Sequence, residues 1–321
     1  MRPCRYSSRV RARAERAAVA EAAALKARRL LVPKQKSTRV TCAIGIAPTP
    51  LDVAKFGRAR GTLHVVGIGP GDAPSRTASA IRALEAATDW VGYSLYLDLI
   101  ADLRQAQADH RFPLGDEEPR VRHALELAAT GKTVALVCSG DAQIYAMAAL
   151  VYELLEASGV RAVSDAARRV AVETHPGISA FQAASAAAGA LIGHDFCCIS
   201  LSDLLTPRPD ILRRLDAAAA GDFVTALYNP RSGRRIELLD AALATFRAHR
   251  PADTPVVIGR SLGRADETMR VVPLSEVDAA EIDMLTILVI GASTSRAFTR
   301  GDGRTLAYTP RGYAQKAEAA E

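Results

Sequence analysis

The sequence predicts an α/β protein: two α/β domains with mostly parallel sheets flanking a ligand cleft. Three observations carry this. From Leu63 onward, short β-branched apolar runs alternate with longer helical patterns, the order that lays helices over parallel strands. The segment "ETHPGISA", residues 173–180, interrupts that alternation near the midpoint and is the expected hinge. At 321 residues the chain is long enough for two cores of ordinary size, and ligands commonly sit between such domains.

In chain order, strands are expected at 63–67, 133–138, 170–174, 197–201, 223–228, 255–259 and 285–290. Helices are expected at 75–87, 117–129, 144–157, 180–188, 210–219 and 234–247. The first strand ends on three glycines, Gly67, Gly69 and Gly71, in "GTLHVVGIGPGD". A second glycine turn, in "VALVCSGDAQIYAMAAL", closes a strand at Cys138 and opens a helix near Ile144. The expected domains are a basic, weakly ordered extension at 1–60, an N-terminal α/β domain at 61–175, a C-terminal one at 176–315, and a tail at 316–321.

Composition narrows the function. Hydrophobic residues make up 49% of the chain and charged residues 24%, and no apolar run reaches the roughly 18 to 20 residues that span a bilayer, so no membrane partner is expected. The net charge of +6 is unevenly placed: residues 1–60 hold fifteen Lys/Arg against Glu15, Glu21 and Asp52, a net of +12, leaving −6 for residues 61–321. The acidic remainder argues against nucleic acid. The first 36 residues are Ala- and Arg-rich without the apolar core of a secretory signal. They read as a transit peptide, a frayed helical tail or an early start codon, with an extension of no catalytic part favoured. Cys4, Cys42, Cys138, Cys197 and Cys198 form no CxxC pair, fitting buried thiols in a reducing cytoplasm. The histidines are scattered singly in the sequence, so no metal site is expected.

The opening glycines invite a dinucleotide-binding reading, but the fingerprint needs G-x-G-x-x-G/A. Pro70 removes an amide donor and Asp72 would repel a pyrophosphate. "TGKT" at 130–133 imitates the end of a P-loop, yet Glu126 stands where its first glycine belongs and the order runs helix to strand.

Taken in order, "GIGPGD", "SGDAQIYAMA", "HPGISAFQAA", "GHDFCCISLSDLLTP", "ALYNPRSGRR", "DMLTILVIG" and "TPRGY" resemble the tetrapyrrole (precorrin/corrin) methyltransferases over roughly residues 61–315. The later segments narrow the resemblance to the branch that methylates ring carbon 17 of precorrin-3B and contracts the ring. The resemblance implies S-adenosyl-L-methionine bound between two domains, a small-molecule tetrapyrrole substrate, a homodimer and a cytoplasmic location. It also implies that Pro70, Ser139, Gly140, Asp141, Ile144, Ser179, Ala180, Asn229 and Leu262 meet the cofactor. Gly69, Gly71, Tyr93 and Arg231 would face the substrate, Arg231 because a guanidinium suits the macrocycle's carboxylates. Ala142-Gln143 replace the family's usual Pro-Gly, which is expected to change the turn beside the cofactor.

Methyl transfer from a sulfonium chiefly needs alignment, worth up to roughly 7 to 11 kcal/mol in favourable systems, so no catalytic triad is expected. Ring contraction needs proton movements; Asp72 and His194 are the expected acid–base residues, ahead of Tyr96, Asp195, Ser202 and Asp203. The competing readings are methylation at a different ring carbon, an RNA- or protein-modifying methyltransferase, a dinucleotide-dependent oxidoreductase, and a corrinoid binder without catalysis.

Overall fold

The apolar face pattern of the first strand shows why two helical layers cover it. Leu63 and Val65 join one buried cluster while Val66 and Ile68 join another, so both faces of the strand are dry, as in a parallel sheet. The computed structural model describes residues 60–232, 236–313 and 316, all within one compact unit, Val53–Glu321. The extension expected at 1–60 lies outside the described residues except for Arg60, as do Arg234 and Arg235.

The first sheet comprises β1 (Thr62–Gly67), β2 (Asp89–Tyr93), β3 (Ala108–Phe112), β4 (Thr133–Cys138) and β5 (Ala171–His175). Its order is β3-β2-β4-β1-β5 and every pairing is parallel. Helices α1 (Ala78–Ala86) and α2 (Ser94–Asp98) cover one face; α3 (Glu117–Ala129) and α4 (Ala148–Glu156) cover the other. Thr77 caps α1 by accepting the Ala80 amide at 3.1 Å. Gly131, with φ of +99°, follows the Thr130 C-cap of α3 within the segment that imitates a P-loop, so this is a helix-terminating turn.

β2 and β3 were not anticipated. β3 reads "ADHRF" and sits at the sheet edge, where charged side chains suit exposure and no apolar run announces a strand. α1 starts later than expected because a separate 3-10 turn, Ala73–Ser75, precedes it.

The chain leaves β5, passes through residues 176–179, and enters α5 (Ala180–Ala188). The second sheet comprises β7 (Phe196–Ser200), β8 (Val224–Tyr228), β9 (Pro255–Arg260), β10 (Thr268–Pro273) and β11 (Thr286–Ile290). Its order is β10-β9-β11-β8-β7. Only β7–β8 is parallel; the other three pairings are antiparallel. This sheet departs from the mostly parallel expectation. Past α7 (Glu237–His249) no further α-helix of any length separates the strands, and short connections cannot make a parallel crossover. α6 (Arg208–Ala220) and α7 pack on one face and α5 on the other. A small third sheet joins β6 (Gly189–Ala190), β12 (Arg296–Thr299) and β13 (Thr305–Tyr308).

Candidate functional site

Parallel strands put every carboxyl end at one edge, where open α/β sheets receive ligands. Both glycine turns emerge there, from the neighbouring strands β1 and β4, and they are hydrogen-bonded to each other. Gly69 N donates to Gly140 O at 3.1 Å, and Gly140 N donates to Gly69 O at 2.7 Å. The crossing segment closes over them. A Cβ built on Gly67 would stand 2.6 Å from Gly140 O and 2.8 Å from Gly177 N, so only glycines allow three backbones to meet.

Asp141, buried, fastens this junction: Oδ1 accepts from Gln143 N at 2.8 Å and Oδ2 from Gly177 N at 3.1 Å. Ala142 is fully buried, and its carbonyl accepts the Ala148 amide at the start of α4. Alanine therefore keeps the turn closed without the family's proline, while Gln143 is exposed. Ser139 and Gly140 line the same turn, half-buried and buried.

The opposite wall comes from the second sheet. Ser179 caps α5 through a capping box with Gln182, and its Oγ lies 2.5 Å from the Tyr228 hydroxyl, which also accepts the Phe181 amide at 3.3 Å. Burial pushes the Tyr228 phenol up to about 12, although the Ser179 and Phe181 contacts favour the ionised form, so Tyr228 stays a neutral hydroxyl. Ile144, Ala180 and Tyr228 pack around a cluster holding Leu262 and Phe181. Tyr145 reaches across, donating its hydroxyl to Cys198 O at 2.8 Å with its ring 5.1 Å from that of Tyr228. Its φ of +53° is a left-handed value that an aromatic residue holds only when its surroundings enforce it. Asn229, also left-handed at +49°, donates Nδ2 to Ser200 Oγ at 3.0 Å.

The first turn meets a loop of the second sheet. A Cβ on Gly263 would lie 2.6 Å from Asp72 Oδ1, and one on Gly71 would lie 2.9 Å from Arg264 Cγ. Asp72 Oδ1 is buried with no hydrogen-bond partner in this structure, and Pro70 is buried beside it. Tyr93 ends β2 at the same carboxyl edge, edge-on to Tyr96 at 5.2 Å; burial raises the Tyr96 phenol above its ordinary value.

Two expected site residues lie elsewhere. His194 precedes β7, whereas Ser200 ends it, so five strand residues, roughly 17 Å at about 3.3 Å each, separate it from the Tyr228 edge. It is half-exposed, and its Nδ1 accepts the Asp195 amide at 2.8 Å and lies 3.3 Å from Asp195 Oδ2. Strand polarity removes it from the group expected to act with Asp72. Arg231 donates to Ala279 O and lines a recess of about 410 Å³ with Ser232, Ile236 and Asp283, apart from the glycine junction.

The histidines are not single, as the sequence suggested. His64 pairs with His175, and His110 with His123. His110 Nε2 also meets Asp89 Oδ1 at 2.9 Å, where Lys132 Nζ donates at 2.8 Å. Asp89 begins β2, so this network lies at the amino edge, away from the glycine turns. Burial raises the Asp89 carboxyl, but contacts from Lys132, His110 and Thr88 outweigh it and hold it below the usual range. Burial also pushes the Cys138 and Cys198 thiols up to about 11, making them poor nucleophiles. Tyr145 and Tyr228 escaped the sequence reading as site residues; they stand inside the quoted "SGDAQIY" and "ALYN" segments.

Residues 62–278 match the family model "Tetrapyrrole (Corrin/Porphyrin) Methylases", and residues 2–45 match "Cobalamin synthesis G C-terminus". A precorrin-3B C(17)-methyltransferase from Sinorhizobium sp is 42% identical over 257 residues, covering 79% of this chain and 98% of that protein. A probable cobalt-factor III C(17)-methyltransferase from Salmonella typhimurium is 41% identical, covering 78% and 99%. The crystal structure of the methyltransferase CobJ superposes with a TM-score of 0.70 at 37% identity, over 78% of this chain and all of that one.

Proposed function

The chain belongs to the tetrapyrrole methylase family, and from that premise we propose that it is an S-adenosylmethionine-dependent C-methyltransferase of cobalamin biosynthesis. It methylates ring carbon 17 of precorrin-3B with contraction of the ring. The observation that supports this best is the Gly69–Gly140 junction closed by Gly177 and faced by Ser179, Tyr228 and Leu262.

The residues suit a compact, positively charged donor. The buried Asp141 carboxylate sets a negative field near a sulfonium or an amine. When bound, the donor supplies an already activated methyl group. Ser139, Gly140 and Asp141 then hold its methionine end, Ile144, Ala180 and Leu262 give an apolar bed for the adenine, and Asn229 and Ser179 offer polar contacts. Pro70, Gly69 and Gly71 shape the substrate side, with Tyr93 along the rim. Arg231, in its recess, serves a peripheral carboxylate of the macrocycle. Asp72, with a buried oxygen free of any hydrogen bond in this structure, is the acid–base candidate for ring contraction. His194 is not retained in that role. Pro70, buried, with Asp72 after it, removes support for a dinucleotide.

A second reading, in which the substrate carries cobalt, has a specific ground: the relatives named for precorrin-3B and for cobalt-factor III are nearly equal in identity. Mass spectrometry of the protein with S-adenosylmethionine and each substrate tests the reading. One added methyl, dependent on the donor, is expected on one of them. If both return unchanged while calorimetry shows donor binding, the substrate assignment is wrong; no donor binding refutes the site. No described helix is long and apolar enough to cross a membrane. A cytoplasmic homodimer is part of the proposal, checked by light scattering.

A further inference from the structure

β1 and β5 run side by side in parallel, with His64 opposite Glu173 and Val66 opposite His175. Paired residues share a face of the sheet, as do residues two apart along a strand, so His64, Glu173 and His175 project to one side. His64 Nδ1 is 3.0 Å from His175 Nε2 and 3.5 Å from Glu173 Oε2, and His175 Nε2 is 3.9 Å from the same oxygen. A four-coordinate cation with bonds of about 2.0 to 2.2 Å needs ligand atoms roughly 3.3 Å apart. The triangle already has that scale, and side-chain adjustments of a few tenths of an ångström complete it.

The surroundings suit a metal better than a plain contact. The two imidazoles are largely enclosed, their side chains 12% and 15% exposed, while the Glu173 side chain is 60% exposed and forms the mouth. Ser79 Oγ lies 2.8 Å from His175 Nδ1. With Nδ1–H donating to that hydroxyl, the Nε2 lone pair faces His64, the outer-sphere arrangement that orients metal-binding imidazoles. Two imidazoles and one carboxylate favour zinc-like first-row cations over magnesium or calcium.

We propose that His64, Glu173 and His175 form a binding site for a zinc-type divalent cation, with its fourth position open to water. His175 stands two residues before Gly177, whose amide is held by Asp141, and Thr77 donates to the intervening Pro176 carbonyl at 3.1 Å. A bound cation would thus pin the strand end that closes the glycine junction. The site does not depend on which tetrapyrrole is methylated.

The test uses the purified full chain, dialysed against chelator and titrated with zinc chloride by calorimetry, then with cobalt(II) as a visible-absorption probe. One equivalent per chain and the d–d bands of four-coordinate cobalt are expected. Glu173→Gln, at an exposed position, should weaken zinc binding by about tenfold or more, on the scale of losses around metal sites, with circular dichroism unchanged. Glu173→His should tighten it, and His175→Gln should abolish it. Failure of the native chain to bind zinc would overturn the site. So would native affinity in both Glu173 variants, which places binding elsewhere and leaves His64 and His175 as a simple hydrogen-bonded pair. If His175→Gln fails to fold, the two Glu173 variants decide.

Discussion

At the scale of single residues, one of the paired histidines carries a pH signature. His123 lies below its ordinary value through burial and then His110, against the pull of Asp89. The unfolded chain takes up this proton as pH falls below about 6.5 while the folded chain resists. Stability is therefore complete above that pH and declines beneath it, by at most about 1.4 kcal/mol per pH unit. Asp89, depressed in the fold, adds a second loss only once pH falls below the ordinary carboxylate range of about 4. Urea midpoints measured between about pH 7.5 and 5.5 should drop, and His123→Gln should flatten the drop. A level midpoint in the native chain would refute this. None of the pairs was legible, since His64 and His175 stand 111 residues apart in sequence and only strand register joins them.

At the scale of elements, the glycine junction is the critical joint. A Cβ on Gly177 would strike the carbonyls of both Gly67 and Gly140, backbone groups that cannot rotate away. Gly177→Ala should destabilise the chain by about 1 to 3 kcal/mol, the usual scale of overpacking, and weaken donor binding, measured by thermal unfolding and calorimetry. Unchanged melting and affinity would show that the junction opens without strain. The turns themselves were legible because glycine and proline punctuate apolar runs, and Pro70 and Asp72 already spoke against a dinucleotide. Their mutual hydrogen bonds were not, because β1 and β4 become neighbours only when the sheet assembles. β3 was hidden for a different reason: an edge strand has little apolar surface to display.

At the scale of the whole molecule, the Sinorhizobium relative is matched over 98% of its length by 79% of this chain, and the methylase match starts at residue 62. Deleting residues 1–58, which precede the methylase match, should leave methyl transfer within about twofold of the full chain, measured by initial rates. Loss of turnover in a folded product would instead give the segment resembling cobalamin synthesis G a part in the reaction. The mostly parallel expectation held for the first sheet and stopped at the second, where three of four pairings are antiparallel. Sequence alone determined the α/β class, most strands and the motif order, because local apolar runs and turn residues encode them. Only the tertiary structure decided which turns touch, that His194 lies at the wrong end of β7, and that Tyr145 and Tyr228 bridge the two halves. Those outcomes follow from strand order and direction, which join residues far apart in the chain and leave no periodic trace within any one segment.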